Sequence, residues 1–391
     1  MKSNYKSLGD YIQEVNERNS DLAITNLIGV SMEKTFISSV ANIVGTDMSV
    51  YKILRKGQLA CKLMSVGRDE KLPVDLYKKN EPAIVSSAYY VFEPKDKNIV
   101  LPEYILMWLC RPENDRYIGY ISGGDVRGGI SWETFCDTPI KVPTIEKQHE
   151  IVEEYNSIVN RIKLNEKFCS KLDETIQTIY KKWFVDEVNS KTEIKTLNDL
   201  CSLITDGKHG DCEDQNNSGY YFLSAKDLRN NTLIFENSRQ ITKKDFEETH
   251  RRTNLKPGDI CMINTGATIG RMSIAPDKST TISSTFQKSV AILKPKNNVV
   301  KTYYLFCLLK NKIKEITELA SGTSQANLLL GDLKQFKIQY PDYKNIVEFD
   351  NKIESFFKAQ YLKTEENLIL HQMKDLVLAK MSKVKSEKKI I

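Results

Sequence analysis

The sequence IEKQHEIVEEYNSIVNRIKLNEKFCSKLDETIQTIYKKW, from Ile145 to Trp183, contains neither proline nor glycine. Its apolar residues recur at alternating intervals of four and three positions: Ile151, Tyr155, Ile158, Ile162, Cys169, Leu172, Ile176, Ile179 and Trp183. This spacing is typical of the seam of a coiled coil, and Asn165 fills the gap within it. A helix that continues without a breaker to Val188 would be roughly 60 Å long.

A second helical pattern of similar length begins near Asn345. Its apolar positions are Ile346, Phe349, Ile353, Phe357, Leu368, Met373, Leu376 and Val377. Polar Gln360 and Thr364 and one register slip interrupt the pattern. Two such helices in one chain are expected to pair antiparallel with each other, because each presents a seam suited to another long helix. The alternative is that each helix folds back on its own domain.

The regions that precede the two helices repeat one another in sequence. The matching segments are KSLGD (6–10) with KTLND (195–199), LRKG (54–57) with LKPG (255–258), and IKVP (140–143) with IQYP (338–341). Their constant order indicates an old duplication or a fusion. The sequence therefore predicts an α+β protein with two globular α/β domains, each followed by a long helix. The predicted boundaries are 1–144 and 191–343 for the domains, and 145–190 and 344–391 for the helical spacers.

The composition fits a globular protein of two or three domains. The 391 residues are 40% hydrophobic and 28% charged, and the formal net charge is +6. This slight basic excess permits a polyanionic partner. The first residues lack the apolar core of a secretory signal, and no stretch approaches the roughly 20 apolar residues of a membrane-spanning helix. We therefore expect a cytoplasmic protein with no membrane partner.

A glycine-containing segment, LKPGDICMINTGATIG (255–270), raises the question of a phosphate-binding loop. A Pro-Gly turn, a strand through Ile260 and Met262 and a second glycine turn predict a hairpin. Arg271 and Met272 stand where a P-loop requires Lys and Ser or Thr, and the Rossmann spacing is absent. No C-x-x-C pair occurs among the eight cysteines. The sequence predicts a non-catalytic chain with no metal or cofactor site of its own.

Polar and basic loops with glycines recur in both halves of the chain. Arg, Lys, Asn and Gln side chains read base edges, whereas Ser, Thr, Lys and backbone amides hold phosphates. A single loop of this kind is compatible with a solvated turn, but its presence in both halves favours DNA binding. The candidate residues are Lys62, Arg68, Arg116 and Arg127 in the first half, and Lys208, His209, Lys226, Arg229, Arg251, Arg252, Thr265, Gly266, Thr268, Arg271, Thr323, Ser324, Gln325 and Asn327 in the second.

From end to end the chain resembles the DNA-specificity (S) subunit of Type I restriction-modification systems. The segments that carry the resemblance are GISWETFCDTPIKVPTIEKQHEIVEEYN (129–156), YYFLSAKDLRNN (220–231), LKPGDICMINTGATIGRMSI (255–274) and SGTSQANLLLGDLKQFKIQYP (321–341). The resemblance implies two target-recognition domains, each reading half of a bipartite double-stranded DNA sequence. The alternatives are a stand-alone nucleic-acid-binding adaptor and a protein-only helical scaffold.

The resemblance also implies partner subunits that perform the chemistry. Two modification subunits would dock on the helical spacers and methylate adenine with S-adenosylmethionine. Restriction subunits would join later and add translocation and cleavage that depend on ATP and Mg²⁺. These cofactors are expected on the partners, not on this chain.

The sequence departs from the family pattern at two places. A Glu-Gln signature at the spacer start is represented by Glu146 and Gln148 but is lost after Pro341, which puts the equivalence of the second docking face in doubt. The first domain has Met64-Ser65-Val66-Gly67-Arg68 in place of the 266–270 turn, so the two halves should read different sequences. The 266–270 turn itself is expected to present backbone amides and the Thr265 and Thr268 hydroxyls to DNA, with a tight core hairpin as the alternative.

Overall fold

The computed structural model describes residues 5–39, 45–64, 66–123, 128–186, 193–322 and 326–383. The chain divides into two compact units: a first unit of Met1–Ile162 and Leu368–Ile391, and a second unit of Lys163–Asn367. The boundaries between the units fall inside both long helices. The units therefore do not correspond to the predicted domains and spacers, whose boundaries stay a prediction. In the described part of the chain, no helix combines the length and the apolar character needed to cross a bilayer.

The first unit is a mixed structure of short strands and helices. Its strands are β1 Lys6–Ser7, β2 Ile12–Val15, β3 Ile28–Val30, β4 Phe36–Ser38, β5 Lys52–Leu54, β6 Leu59–Cys61, β7 Val74–Leu76, β8 Ala83–Val85, β9 Tyr90–Pro94 and β10 Pro139–Ile140. Its helices are α1 Val66–Asp69, α2 Pro102–Leu109, α3 Pro112–Ile121 and α4 Trp132–Cys136, followed by the long α5 Ile145–Lys181, which extends into the second unit. A π-helical turn, Lys182–Asp186, follows α5.

The second unit repeats this plan with longer strands. Its strands are β11 Glu193–Thr196, β12 Cys201–Asp206, β13 Tyr221–Leu223, β14 Leu228–Arg229, β15 Thr232–Leu233, β16 Ile260–Ile263, β17 Met272–Ile274, β18 Ser284–Phe286, β19 Val290–Pro295 and β20 Lys337–Tyr340. Its helices are α6 Leu197–Leu200, α7 Lys243–Thr253, α8 Ser279–Ile282, α9 Thr302–Asn311, α10 Ile313–Glu318, α11 Leu330–Gln335 and the long α12 Tyr343–Lys380, which extends into the first unit.

Both units contain the same central arrangement of strands. The sheet order is β2-β9-β6-β7 in the first unit, and β12-β19-β16-β17 forms the corresponding part of a six-stranded sheet in the second. Each unit also has a short antiparallel pair, which joins Lys6 to Ile140 in the first and Lys195 to Ile338 in the second. Within each unit, the repeated segment at the start of the domain therefore pairs with the repeated segment just before the long helix. The strand order is the structural counterpart of the internal repeat.

The two long helices pack against each other antiparallel, as expected. In the second unit, Asn165 Nδ2 of α5 donates to Asn367 Oδ1 of α12 at 2.8 Å, and Gln360 Nε2 of α12 donates to Cys169 O at 2.9 Å. Further along α5, the ring of Tyr180 lies 5.8 Å from that of Phe349. In the first unit, the corresponding core combines Ile151, Ile158 and Ile162 of α5 with Val377 and Leu378 of α12.

The seam of α12 differs from the predicted one at its polar positions. Gln360, Thr364 and Asn367 continue the heptad spacing and are almost fully buried. Met373 and Leu376, which were expected in the seam, are 46% and 60% exposed. The expectation for these two residues is therefore corrected. The polar residues are buried because their partners on α5, such as Asn165 and Cys169, supply hydrogen bonds.

A polar side chain of each long helix caps the start of a preceding helix. In the first unit, Gln148 Oε1 accepts a hydrogen bond from Leu101 N at 2.9 Å, at the start of α2. In the second, a carboxylate oxygen of Asp350 accepts from Tyr304 N at 2.8 Å, in the first turn of α9. Both satisfy amides that lack partners within their own helices. Gln148 of this signature is fully buried and therefore structural, whereas Glu146 is exposed.

Candidate nucleic-acid interface

The loops of the second unit meet at one edge of its sheet because of the strand order. β12, β19 and β16 are antiparallel neighbours, with Asp206 opposite Ala291 and Ile263 opposite Val290. β12 and β16 therefore end beside the start of β19. The segments that follow β12 and β16, and the turn that precedes β19, gather at this edge, which we call the loop end.

Backbone hydrogen bonds fix the loops of the loop end against one another. Lys208 N donates to Phe286 O at 2.7 Å, and Lys288 N donates to Lys208 O at 3.0 Å. Gly207 lies so close to this turn that a Cβ atom would overlap the carbonyl oxygens of Phe286 and Gln287. The glycine is thus required by the close approach of two backbones, and the loop end is a defined surface rather than a set of independent turns.

The 266–270 turn is a tight hairpin between β16 and β17. Gly266 N donates to Ala326 O at 3.1 Å, and Gly270 N donates to Ile263 O at 2.9 Å. Both glycines have positive φ, and a Cβ on Gly270 would contact Ile313 of α10 at 2.8 Å. The amides of these two glycines are therefore bonded within the chain, and contact of the turn with DNA stays a prediction. Ala267 and Thr268, at the tip of the turn, are exposed.

A polar cavity of about 500 Å³ opens at the loop end. Thr265 Oγ1 donates to Asn327 Oδ1 at 2.8 Å, which joins two predicted residues from distant parts of the sequence. We call this cavity the sheet-end pocket, and its polar lining is Lys208, Thr265, Gln287, Lys288, Ser289 and Asn327. The sequence prediction missed Gln287, Lys288 and Ser289. The available signal was a polar three-residue interruption between the strands Ser284–Phe286 and Val290–Pro295.

Carboxylates of the same unit already hold three of the predicted basic residues. Lys208 Nζ lies 3.0 Å from both Asp245 Oδ1 and Glu248 Oε2, and hydrogen bonds to these carboxylates raise its pKa. His209 Nε2 lies 3.1 Å from Asp206 Oδ2, and Arg252 Nη1 lies 3.5 Å from Asp206 Oδ1. These ion pairs fix α7 and the loop after β12, and they reduce the positive charge that these residues offer a phosphate.

A second group of predicted residues forms a basic patch on a neighbouring surface. Arg271 Nη2 donates to Ala225 O at 2.7 Å and to Thr268 Oγ1 at 3.3 Å. Arg229 Nε donates to Lys226 O at 2.6 Å. Lys226, Arg229 and Arg271, which we call the basic patch, are all exposed and are joined through one short backbone segment. In the described part of the chain, the guanidinium groups of Arg229 and Arg271 contact backbone oxygens and a hydroxyl rather than carboxylates, so their charges are not cancelled.

Arg251 lies apart from both groups. It lines an open depression of about 800 Å³ with Lys244, Glu248 and His250 of α7. Burial lowers the pKa of His250, whose ring stacks on Phe246 with centroids 4.6 Å apart. The structure therefore separates Arg251 from its sequence neighbour Arg252, which reaches the loop after β12.

In the first unit, Lys62 and Arg68 occupy the corresponding edge of the sheet. Lys62 follows β6, and Arg68 is an exposed residue of α1 that is ion-paired to Asp69 at 2.9 Å. Arg116 lies on α3, is 71% exposed and has Glu113 at 3.7 Å. Arg127 lies outside the described residues, as do Thr323, Ser324 and Gln325 of the second half.

The two units use the same hydrogen bonds to hold different loops. Gly67 and Gly266 both follow a central strand of the sheet, β6 or β16. Each donates its amide to a carbonyl of the loop that precedes a short helix, α4 or α11. The matching bonds are Gly67 N to Gly128 O (2.7 Å) with Gly266 N to Ala326 O (3.1 Å), and Ile130 N to Leu63 O (3.1 Å) with Leu328 N to Asn264 O (2.7 Å). Gly67 thus takes the place of Gly266, an equivalence that the sequence comparison missed.

The described residues contain no group of three or more His, Cys, Asp or Glu side chains arranged to hold a metal ion. In the same residues all eight cysteines are free thiols. Burial raises the pKa of Cys110 to about 11 and that of Cys201 to about 12. These thiols are therefore protonated at neutral pH.

The chain matches the family model described as the Type I restriction modification DNA specificity domain, over residues 75–173 and 189–374. It belongs to this family, and its function is accordingly DNA-sequence recognition. The family is one of specificity subunits, which confirms the interpretation as a non-catalytic subunit and the α+β fold with two long helices.

Two curated relatives and one solved structure illustrate the similarity. The chain is 21% identical to the Type I restriction enzyme HindI specificity subunit of Haemophilus influenzae, over 96% of this chain and 97% of the relative. It is also 21% identical to the MjaIX specificity subunit of Methanocaldococcus jannaschii, over 77% of this chain and 72% of the relative. The crystal structure of the Type I restriction-modification S subunit from M. genitalium aligns with a TM-score of 0.57 and 14% identity, over 96% of this chain and 95% of that one. This last likeness shows the fold.

Proposed function

We propose that this chain reads a bipartite, asymmetric double-stranded DNA sequence and positions modification subunits on it. The observation that carries the proposal is the repeated sheet with dissimilar loops. Each unit presents its loops at the same edge of the same strand order, held by matching backbone hydrogen bonds. The polar residues of these loops differ: Lys62 and Arg68 in the first unit, and Thr265 and Asn327 in the second, which also has the basic patch on a neighbouring surface. Two different recognition surfaces would give two different half-sites.

Exposed apolar side chains on the long helices support docking of two modification subunits. In the second unit these are Leu164, Phe168 and Leu362, which are 58%, 44% and 63% exposed. In the first unit they are Ile369, Met373 and Leu376. Leu164 and Phe168, and likewise Ile369, Met373 and Leu376, are spaced three or four positions apart and so share one helix face, and an exposed apolar face of this kind is typical of a protein interface. Each unit would therefore offer one docking face to a methyltransferase subunit.

The chemistry would then belong to the partners. Modification subunits would bind S-adenosylmethionine and methylate an adenine extruded from the duplex. Restriction subunits would add the steps that depend on ATP and Mg²⁺. A complex of this kind acts on the chromosome, so we place the chain in the cytoplasm.

The test is to co-express the chain with the methyltransferase encoded beside it and to map N6-methyladenine across the genome by single-molecule sequencing. We expect one split motif with different half-sites, methylated in both halves. A stable complex that produces no motif would contradict the proposal. If the complex also fails to bind duplex DNA, the protein-only scaffold becomes the better interpretation.

A further inference from the structure

We propose that Gln287 and Asn327 of the sheet-end pocket read a base pair, and that Lys288 beside them contacts a phosphate. This inference rests on the proposed function and deepens it, because it assigns sequence readout to two carboxamides of the second unit. The preferred base is adenine, since a carboxamide can donate to N7 and accept from the N6 amino group at once.

The position of the two carboxamides follows from the topology. Gln287 is in the turn between β18 and β19, and Asn327 follows the 323–325 segment. Gln287 N donates to Leu223 O at 3.0 Å, and Gln287 O accepts from Val290 N at 3.1 Å. Asn327 N donates to Ser321 O at 2.8 Å. The backbone at both residues is therefore fixed, so their side chains start from defined positions, as readout of a base edge requires.

The side-chain hydrogen bonds distinguish groups that are available to contact a base from groups that hold the loops together. Thr265 Oγ1 donates to Asn327 Oδ1, which orients the amide of Asn327. Among the described residues, no side-chain hydrogen bond engages the Asn327 amino group or the Gln287 carboxamide, and both residues are partly exposed in the cavity. The Asn327 amide is oriented by Thr265 and the Gln287 carboxamide extends from a fixed backbone, so both groups are available to pair with a ligand.

The charges around the sheet-end pocket favour Lys288 over Lys208 as the phosphate contact. Lys208 is enclosed by Asp245 and Glu248, and its side chain is only 14% exposed. Lys288 is exposed, and no described carboxylate lies within ion-pair distance of its ammonium group. A free ammonium group beside two carboxamides is the combination that positions a protein on the backbone while bases are read.

The experiment uses the complete complex with its methyltransferase. Genome-wide N6-methyladenine motifs are compared for the wild type, Gln287→Ala, Asn327→Ala and a control, Gln339→Ala, which changes an exposed glutamine of β20 outside the loop end. We expect Gln287→Ala and Asn327→Ala each to relax one A·T position in a single half-site. Discrimination at that position, measured with competing duplexes, should fall about 10- to 100-fold. The other half-site and the control motif should not change.

Lys288→Ala gives a second, independent readout. We expect weaker binding to all duplexes, with the same motif and a salt dependence reduced by about one phosphate contact. Melting temperatures show whether each variant is folded. Gln287→Ala decides the outcome if Asn327→Ala is destabilised, because the Gln287 carboxamide makes no hydrogen bond to a described residue. Normal methylation of an unchanged motif in Gln287→Ala would overturn the inference, whereas a wild type that yields no split motif overturns the proposed function itself.

Discussion

Asn165 of α5 and Asn367 of α12 form a hydrogen bond of 2.8 Å inside the helix pair of the second unit. Both side chains are more than nine-tenths buried. Three further polar or sulfur-containing residues, Cys169, Gln360 and Thr364, follow in the same seam. A buried polar layer costs stability relative to apolar packing, but it penalises every register in which its members do not meet.

We predict that Asn165→Leu lowers the free energy of unfolding by about 1–3 kcal/mol, because it removes a partner from the buried Asn367 amide. The double variant Asn165→Leu/Asn367→Leu should recover much of this loss. Lys167→Leu, at an exposed position of the same helix, should change stability by less than about 0.5 kcal/mol. Denaturant unfolding measures all three, and a single variant as stable as the wild type would contradict this role of the pair.

A methyl group at Gly207 should separate the loops of the loop end. We expect Gly207→Ala to destabilise the protein and to weaken DNA binding, since the new Cβ would overlap Phe286 O and Gln287 O. Gly331→Ala is the matched control, because a Cβ there has open space around it within α11. Thermal unfolding and duplex binding test both variants. Equal behaviour of the two alanine variants would show that the close approach is not required.

The carboxyl group of Asp350 is expected to make the free energy of unfolding depend on pH. Burial raises the pKa of its carboxyl from the usual 3.8 to about 6. Because this folded-state pKa exceeds the unfolded one, the protonated acid favours the folded state. The contribution is present below about pH 4 and is lost as the pH rises to about 6. The difference corresponds to about 3 kcal/mol.

The Asp350→Asn variant tests this dependence directly. Its stability relative to the wild type should increase from pH 4 to pH 6 and then stay constant. Denaturant unfolding of both proteins across this range gives the comparison. A stability difference that is independent of pH would argue against a raised pKa at Asp350.

Arg271 of the basic patch should contribute to binding but not to sequence choice. We expect Arg271→Ala to weaken binding to all duplexes and to reduce the salt slope by about one contact. Lys337→Ala removes an exposed charge from β20, away from the loop end, and should have little effect. Titrations at several salt concentrations make the comparison. Unchanged affinity and salt slope in Arg271→Ala would show that Arg271 does not contact DNA.

Met373 and Leu376 should serve the partner rather than the fold. We expect Met373→Gln/Leu376→Gln to reduce co-purification of the methyltransferase subunit without lowering the melting temperature, because both side chains are largely exposed. Gln372→Ala, an exposed neighbour on the same helix, is the control. A lower melting temperature with normal complex formation would show that the two residues stabilise the helix pair rather than bind the partner.

The repeat and the helices could be predicted from the sequence, whereas much of the candidate site could not. Lys62, Thr265, Asn327 and Arg271 could be predicted because they lie in recognisable polar loops, and their contact with DNA stays a prediction. Gln287 was missed because its short turn has no distinctive pattern. The role of Gly67 was also missed, since the carbonyl that its amide reaches lies in a loop far along the chain.

Heptad spacing and repeated segments are local properties of the chain, so the two long helices and the duplicated plan could be predicted from the amino-acid sequence alone. Which polar residues are buried and which face the loop end depends on contacts between distant segments, and these contacts exist only in the folded chain. Gln360 enters the seam because α5 supplies a carbonyl partner, and Thr364 enters it because its hydroxyl donates to Gln360 O of its own helix. Gln287 and Thr265 meet because β16 and β19 are antiparallel neighbours, and Asn327 joins them through its bridge and hydrogen bond to Thr265. Hydrogen bonds between distant segments have no signature in either segment alone, and this is why they appear only in the folded protein.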